Sequence, residues 1–324
     1  MVTFIGGFVR TFTSSNKLIM KRILVIGASG FIGGYLTNQL LSEGYTVRCL
    51  ARSPDKLEEL AKLGCEIVKG DLTDPASVQH ALKSIDAVYI SIHTLAPQHK
   101  DTSKLGFMDI EMNALENIVE GCRMHGVRRL IYVTSLGVSA DAKDAWTGGR
   151  WKTQQYLLNS GLDVTVIQPG MIVGIGGQGF NMVLANAQKS TAFVIGNGLN
   201  KFRSIAIDDL VYNLIGVLQE RKAYGQCYEV GSDDILTGDQ LIDEAADVVG
   251  HAHPKKIHIP LGLLRFSAPL IERIARSPKG AIKGALGGLG ADLIGDPSAI
   301  RKLLPRKPLS YKQAVSKALE GLSK

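Results

Sequence analysis

The chain has 324 residues, 45% of them hydrophobic and 21% charged, which is enough apolar material for one large core or two closely joined ones. Its formal charge is +7, yet only 6% of residues are aromatic and no Lys/Arg-rich stretch is interleaved with them, so nucleic acid is excluded as a partner and a small anionic one fits. Cys49, Cys65, Cys122 and Cys227 are far apart in sequence and lack metal-ligand spacing, so neither a metal site nor a disulfide framework is expected, and a reducing, cytoplasmic setting follows.

Residues 1–19 carry Arg10, Lys17, several Ser and Thr, and no acid. They read as a disordered upstream extension, because Met20-Lys21-Arg22 leads directly into the first apolar run; organellar targeting is the alternative. No apolar run is long enough to span a bilayer. Ile23–Ile26 is the first predicted strand. It stops at Gly27-Ala28-Ser29-Gly30-Phe31-Ile32-Gly33, where a helix over Phe31–Ser42 begins. Gly27 permits a sharp turn, Gly30 lets a ligand approach the backbone, and Gly33 lets helix and strand pack closely. Free amides of the first helical turn then face an anion, which the helix dipole favours. Strand, glycine loop and helix in this order make a seat for a dinucleotide pyrophosphate, with Ser29, Phe31 and Ile32 completing the loop.

The next predicted strand is Thr46–Ala51, followed by a charged helix after Pro54 and a strand over Cys65–Val68. Asp74-Pro75 opens a helix, with Asp74 as N-cap and Pro75 in the first turn. Ala87–Ile92 is a strand, 104–125 a long helix ending at Gly126, Leu130–Thr134 a strand, 150–160 a helix and Val164–Gln168 a strand. This alternation predicts an α/β fold: a Rossmann-type, doubly wound parallel sheet with right-handed crossovers. After Pro169 the pattern loosens. The expected organisation is an extension over 1–19, a dinucleotide-binding domain over 20–169, and a smaller substrate-binding or closing region over 170–324. The loop Gly176–Phe180 would form part of its pocket wall. Residues 261–295 are Gly-rich, basic and dotted with Leu and Phe, which suits a cover over the substrate pocket or an amphipathic contact with a membrane surface or partner.

The residues that choose the cofactor come next. An NAD-binding strand two usually ends in Asp or Glu; here it ends Ala51-Arg52-Ser53, placing a guanidinium and a hydroxyl where a ribose phosphate would lie. NADP (NADPH) is therefore expected over NAD. Asp71 can accept from an adenine amino group and the Leu72 amide can donate to the ring, or Asp71 caps the next turn. Ser91, Ile92 and His93 line the rim at the end of strand four. His251, His253 and His258 read as an exposed loop leading to a strand, with no metal expected.

These motifs, with Asn113, Val133-Thr134-Ser135, Lys152, Ser160-Gly161-Leu162, Gln168-Pro169-Gly170 and Ile205-Ala206-Ile207-Asp208-Asp209, resemble the atypical short-chain dehydrogenase/reductases, NmrA-like members allied to the NAD-dependent epimerase/dehydratase branch. The resemblance implies that Thr134, Pro169 and Gly170 border the cofactor. It also implies that a Ser, a Tyr and a Lys do the chemistry, the Tyr four residues before the Lys. Ser135 and Lys152 match; position 148 is Gly148, so the usual proton relay is broken. Tyr156, Thr147 and His93 are substitute donors. The branch prefers Arg before Pro169, and this chain has Gln168. The expected function is NADPH-dependent reduction of a small carbonyl or activated double bond. The alternatives are a non-catalytic NADP(H)-binding sensor or accessory protein and, behind it, a sugar-nucleotide epimerase or dehydratase. Substrate identity and oligomeric state are not written in the sequence.

Overall fold

The computed structural model describes residues 20–92, 106–142, 145–275, 286 and 290–321. Its centre is a seven-stranded sheet. Six strands are β1 (Arg22–Ile26), β2 (Thr46–Ala51), β3 (Glu66–Lys69), β4 (Ala87–Ile90), β5 (Arg129–Val133) and β6 (Asp163–Pro169). The seventh, β10 (Gln226–Val230), comes from beyond residue 170 and pairs with β6, giving the order β10-β6-β5-β4-β1-β2-β3. Every pairing in it is parallel. β4 and β5 are buried at every position, as strands covered on both faces must be.

The helices α1 (Phe31–Ser42), α2 (Glu58–Lys62), α3 (Pro75–Leu82), α4 (Phe107–His125) and α5 (Ala145–Leu158) make the crossovers. The Asp74 carboxylate accepts from the Ala76 and Ser77 amides at 3.2 Å, so the expected N-cap of α3 is built as read. Gly126 ends α4 at φ +69°, a left-handed conformation that favours glycine. The charged segment after Pro54 differs: a single 3₁₀ turn over Pro54–Leu57 precedes α2.

Past β6 lie β7 (Met171–Val173), α6 (Gln178–Ala187), β8 (Thr191–Ile195), β9 (Lys201–Ala206), α7 (Ile207–Gly216), β11 (Ile235–Thr237), α8 (Gly238–Val249), β12 (Lys255–Ile259), α9 (Leu261–Ala275), α10 (Ser298–Leu303) and α11 (Tyr311–Glu320). β7, β9 and β11 form one small sheet, β8 and β12 another. α6, α8 and α11 enclose a separate core containing Phe180, Leu241, Ile242 and Tyr311. α7 instead covers the main sheet, with Leu210, Val211 and Leu214 packed among the residues that α1 also covers.

Cys49 and Cys65, far apart in sequence, are neighbours in space: their sulfurs lie 3.1 Å apart as free thiols. Sixteen residues separate them in the chain, but β2 and β3 run side by side and return the second cysteine to the first. The contact with Cys65, and burial after it, raise the Cys49 thiol above its ordinary range.

Candidate functional site

The site lies at the carboxyl ends of the main sheet, where open α/β sheets hold ligands. β1 ends at Gly27, whose φ of +93° turns the chain; a Cβ there would sit 2.1 Å from the Ser91 carbonyl oxygen. At Gly33 a Cβ would meet the Gly27 carbonyl oxygen at 2.2 Å. Both glycines are therefore dictated by backbone contact. Gly30 is the N-cap of α1: it supplies no side-chain cap, and the first turn contains no acid. Ser29 and Gly30 are exposed, whereas Gly33 is buried. An uncapped helix start behind an exposed glycine fits a pyrophosphate, and Ser29, Gly30, Phe31 and Ile32 would hold it.

Phe31 is also a packing surface. Cβ atoms placed on Gly174 or Gly177 would come within 2.9 Å of its ring, and one on Gly176 within 3.3 Å. The glycine-rich loop after β7 thus lies directly on the start of α1, which is why positions 174, 176 and 177 are glycine. Phe31 in turn meets Tyr35 edge-on, with ring centroids 5.4 Å apart.

At the other end of the cleft, Arg52 is exposed just past β2, with Ser53 half-buried beside it. Asp71 follows β3; its Oδ1 accepts from the Thr73 amide at 2.9 Å and hydroxyl at 2.8 Å. That carboxylate therefore closes a local turn, the plainer of its two sequence readings. The Leu72 carbonyl accepts from Asn117 at 2.8 Å, while Asn113, one turn earlier on α4, is exposed.

The largest departure from the sequence reading is on α5. Lys152 is exposed. Two residues earlier, Arg150 is buried, only 3% exposed, and turned inward to the ends of β4 and β5. It donates to the Ile92 carbonyl at 2.9 Å and the Tyr132 hydroxyl at 2.7 Å, and lies 3.4 Å from the fully buried Glu111 carboxylate. Two positions on a helix are separated by about 200°, so the two cations occupy opposite faces. Burial works against the Arg150 charge, yet Glu111 and Tyr132 hold it above the ordinary guanidinium value. Burial first, and Glu111 after it, push the Tyr132 phenol well above its usual range. Thr153 completes the group, 3.3 Å from Glu111.

Counting four residues back from Arg150 gives Trp146, whose ring lies 5.7 Å from the guanidinium. An indole cannot pass a proton near neutrality. The series Trp146, Arg150, Thr153, Leu157 is the inward stripe of α5 at helical spacing; counting back from Leu157 would have found it. Tyr156 packs with the leucine-rich core on that side of the sheet, and burial raises its phenol. Thr147 is buried, Gly148 half-buried, and His93 lies outside the described residues.

Two hydroxyls stand out at the end of β5. Thr134 Oγ1 and Ser135 Oγ are both buried and have no hydrogen-bond partner among the described residues. They follow β5 in turn, beside Ser91 and Ile92, which follow the neighbouring β4. Pro169 ends the next strand, β6, and Gly170 follows it: the Gly170 amide donates to the Val230 carbonyl, and a Cβ on Gly170 would meet the Arg203 carbonyl oxygen at 2.1 Å. Gln168 is buried and pairs with Gln154 at 3.0 Å, a neutral link where the resembled branch prefers Arg.

His251, His253 and His258 do not converge. His253 meets Asp247 at 2.8 Å and His258 meets Asp239 at 3.1 Å, each on a different turn of α8.

Residues 27–194, more than half the chain, match the NAD(P)H-binding family, and the chain belongs to it. Among curated proteins it is 26% identical to a mitochondrial NADH dehydrogenase [ubiquinone] 1 alpha subcomplex subunit 9 of Dictyostelium discoideum, over 78% of this chain and 71% of that one. It is also 26% identical to a 2-alkyl-3-oxoalkanoate reductase of Stenotrophomonas maltophilia, over 71% of this chain and 76% of that one. The fold resembles that of a UDP-glucose 4-epimerase from Thermus thermophilus, solved in complex with NAD, with a TM-score of 0.70 at 16% identity; 93% of this chain and 99% of that one are covered.

Proposed function

We propose that this chain is an NADP(H)-binding protein that holds the dinucleotide as a ligand and lacks the acid–base relay of the short-chain reductases. One observation carries this reading: the buried cation of α5 is Arg150, committed to Glu111, Tyr132 and the Ile92 carbonyl, with Trp146 where a tyrosine would stand. When bound, the reduced nicotinamide supplies a hydride; no group from α5 is placed to supply the matching proton. The preference for NADP(H) over NAD(H) rests on Arg52 and Ser53 past β2 and on the lack of an acid there. In this reading 20–169 holds the dinucleotide and 170–324 closes over it. The free thiols support a reducing compartment, the cytoplasm. Among the described residues no helix is long and apolar enough to cross a membrane.

A second reading, reduction of a small carbonyl or activated double bond, is favoured by the unpartnered hydroxyls of Thr134 and Ser135. Those groups can orient a substrate oxygen, and alignment of donor and acceptor supplies much of an acceleration without a dedicated acid. One experiment separates the two. The purified chain is titrated with NADPH and NADH by fluorescence, then NADPH oxidation is followed with a panel of ketones, aldehydes and quinones. Preferential binding of NADPH without turnover supports the first reading. Steady oxidation with any member establishes the second. Equal affinity for NADH removes the assigned role of Arg52.

A further inference from the structure

We propose that the outer face of the β8–β12 ribbon and the adjoining α9 form a docking surface for an anionic lipid bilayer. Side chains alternate along both strands. On β12, Lys256 and His258 turn towards α8, where they meet Asp243 and Asp239. On β8, Ala192 and Val194 enter the core shared with α8. The opposite face therefore carries Phe193 and Ile257, which are cross-strand partners in the parallel register. They are 53% and 44% exposed.

A second exposed apolar pair lies on α9, which starts two residues after β12 ends. Leu261 and Leu264 are half-buried and Ala268 is buried, marking the inward side. On the outward side Leu263 is 62% and Phe266 87% exposed. They are one turn apart, and exposed Arg265 lies between them. A helix that turns Leu and Phe to water beside a cation has the pattern of an interfacial helix. The flanking charge decides the occupant. Lys255 sits on the apolar face of the ribbon, Lys189 lies just before β8 and Arg265 is on α9; all three are exposed. Among the described residues, Asp239 and Asp243 of α8 face the other way and are paired with His258 and Lys256. An apolar patch beside the exposed cations Lys189, Lys255 and Arg265 complements anionic headgroups over acyl chains.

The test is co-sedimentation of the full chain with vesicles of phosphatidylcholine alone and of phosphatidylcholine mixed with phosphatidylglycerol, at low and high salt. The expected result is binding to the anionic vesicles that falls with salt. The pair Leu263→Ser and Phe266→Ser should weaken it by about tenfold or more, and Arg265→Glu should weaken it at low salt. All three positions are exposed, so the melting temperature and NADPH titration of each variant should match those of the parent chain, which separates lost docking from lost folding. Absence of binding to either vesicle overturns the proposal. So does binding that the paired substitution leaves unchanged. A concentration-dependent dimer that Phe266→Ser dissolves, without lipid binding, would overturn it in favour of self-association.

Discussion

Two buried arginines sit at opposite ends of β5, and they are treated differently. Arg129 opens the strand and is 1% exposed. Its guanidinium has five acceptors: the carbonyls of Leu130, Asp163, Val217 and Leu218, and the Thr165 hydroxyl. The carbonyls of Val217 and Leu218 come from the end of α7, so a cation there also meets the negative end of a helix. Arg150, at the far end of the same strand, is neutralised by Glu111, but its Nε, like the hydroxyls of Thr134 and Ser135, has no hydrogen-bond partner among the described residues. Burying an unpaired polar atom costs about 1–3 kcal/mol, so three such atoms close together at the end of β5 ask for a partner that this chain does not supply among the described residues. The matched end is architecture; the unmatched end is where the proposed ligand would lie.

Substitutions at the two ends should respond accordingly. The greatest effect on function belongs to Gly30→Val, which puts a branched side chain over the exposed loop and should abolish NADPH binding with the melting temperature little changed; retained affinity would remove the loop from the site. Glu111→Leu leaves Arg150 buried without a counter-ion and should lower stability by about 3–5 kcal/mol in urea unfolding. Arg129→Met leaves four carbonyls and a hydroxyl short of a donor. It should cost about 3 kcal/mol while NADPH affinity per folded molecule stays the same. A fall in affinity instead would break the division between the two ends.

Asp74→Ala tests a polar group at the site end that is fully partnered. Hydrogen bonds from Ser77 and Ala76 hold this carboxyl below its usual range. Its contribution is therefore present above the unfolded carboxylate pKa and lost as the pH falls through the lower folded value. The variant should melt earlier than the parent at neutral pH, and the two curves should converge in strong acid. No loss of stability is expected for Thr134→Val and Ser135→Ala, which should leave the chain as stable as the parent or more stable by up to about 1–3 kcal/mol, because each removes an unpaired buried hydroxyl that has no bond to lose. Their NADPH titrations or turnover should suffer nonetheless, and unchanged behaviour in both would mean that the orphaned hydroxyls face no ligand.

The features legible in the chain are those its signals specify locally. Asp74-Pro75 announces a cap, Gly126 a helix end, and the glycines from Gly27 to Gly33 a strand-to-helix turn whose demands arise within a few residues or from the adjacent strand. α5 misleads because its inward face is not apolar: Arg150, Thr153 and Gln154 are buried where a pattern reader expects Leu or Val. Lys152 then looks like the functional cation, although the helical phase turns it to solvent. The Cys49–Cys65 contact and the return of Gln226–Val230 to the main sheet are hidden for another reason. Both depend on which strands lie side by side, and neither strand states its neighbour.

The clamp made by Arg129 has a consequence for how the chain is born. The carbonyls that satisfy its guanidinium lie 88 and 89 residues downstream. A nascent chain that has emerged only as far as β6 carries a cation aimed at acceptors still inside the ribosome, and it also lacks β10, the strand that covers the edge of β6. The β5–β6 side cannot be completed before those segments arrive. The β5–β6 side of the sheet is therefore completed only after Val230 has emerged, and arrested chains ending before Val217 should stay sensitive to protease there even when β1 to β3 are protected.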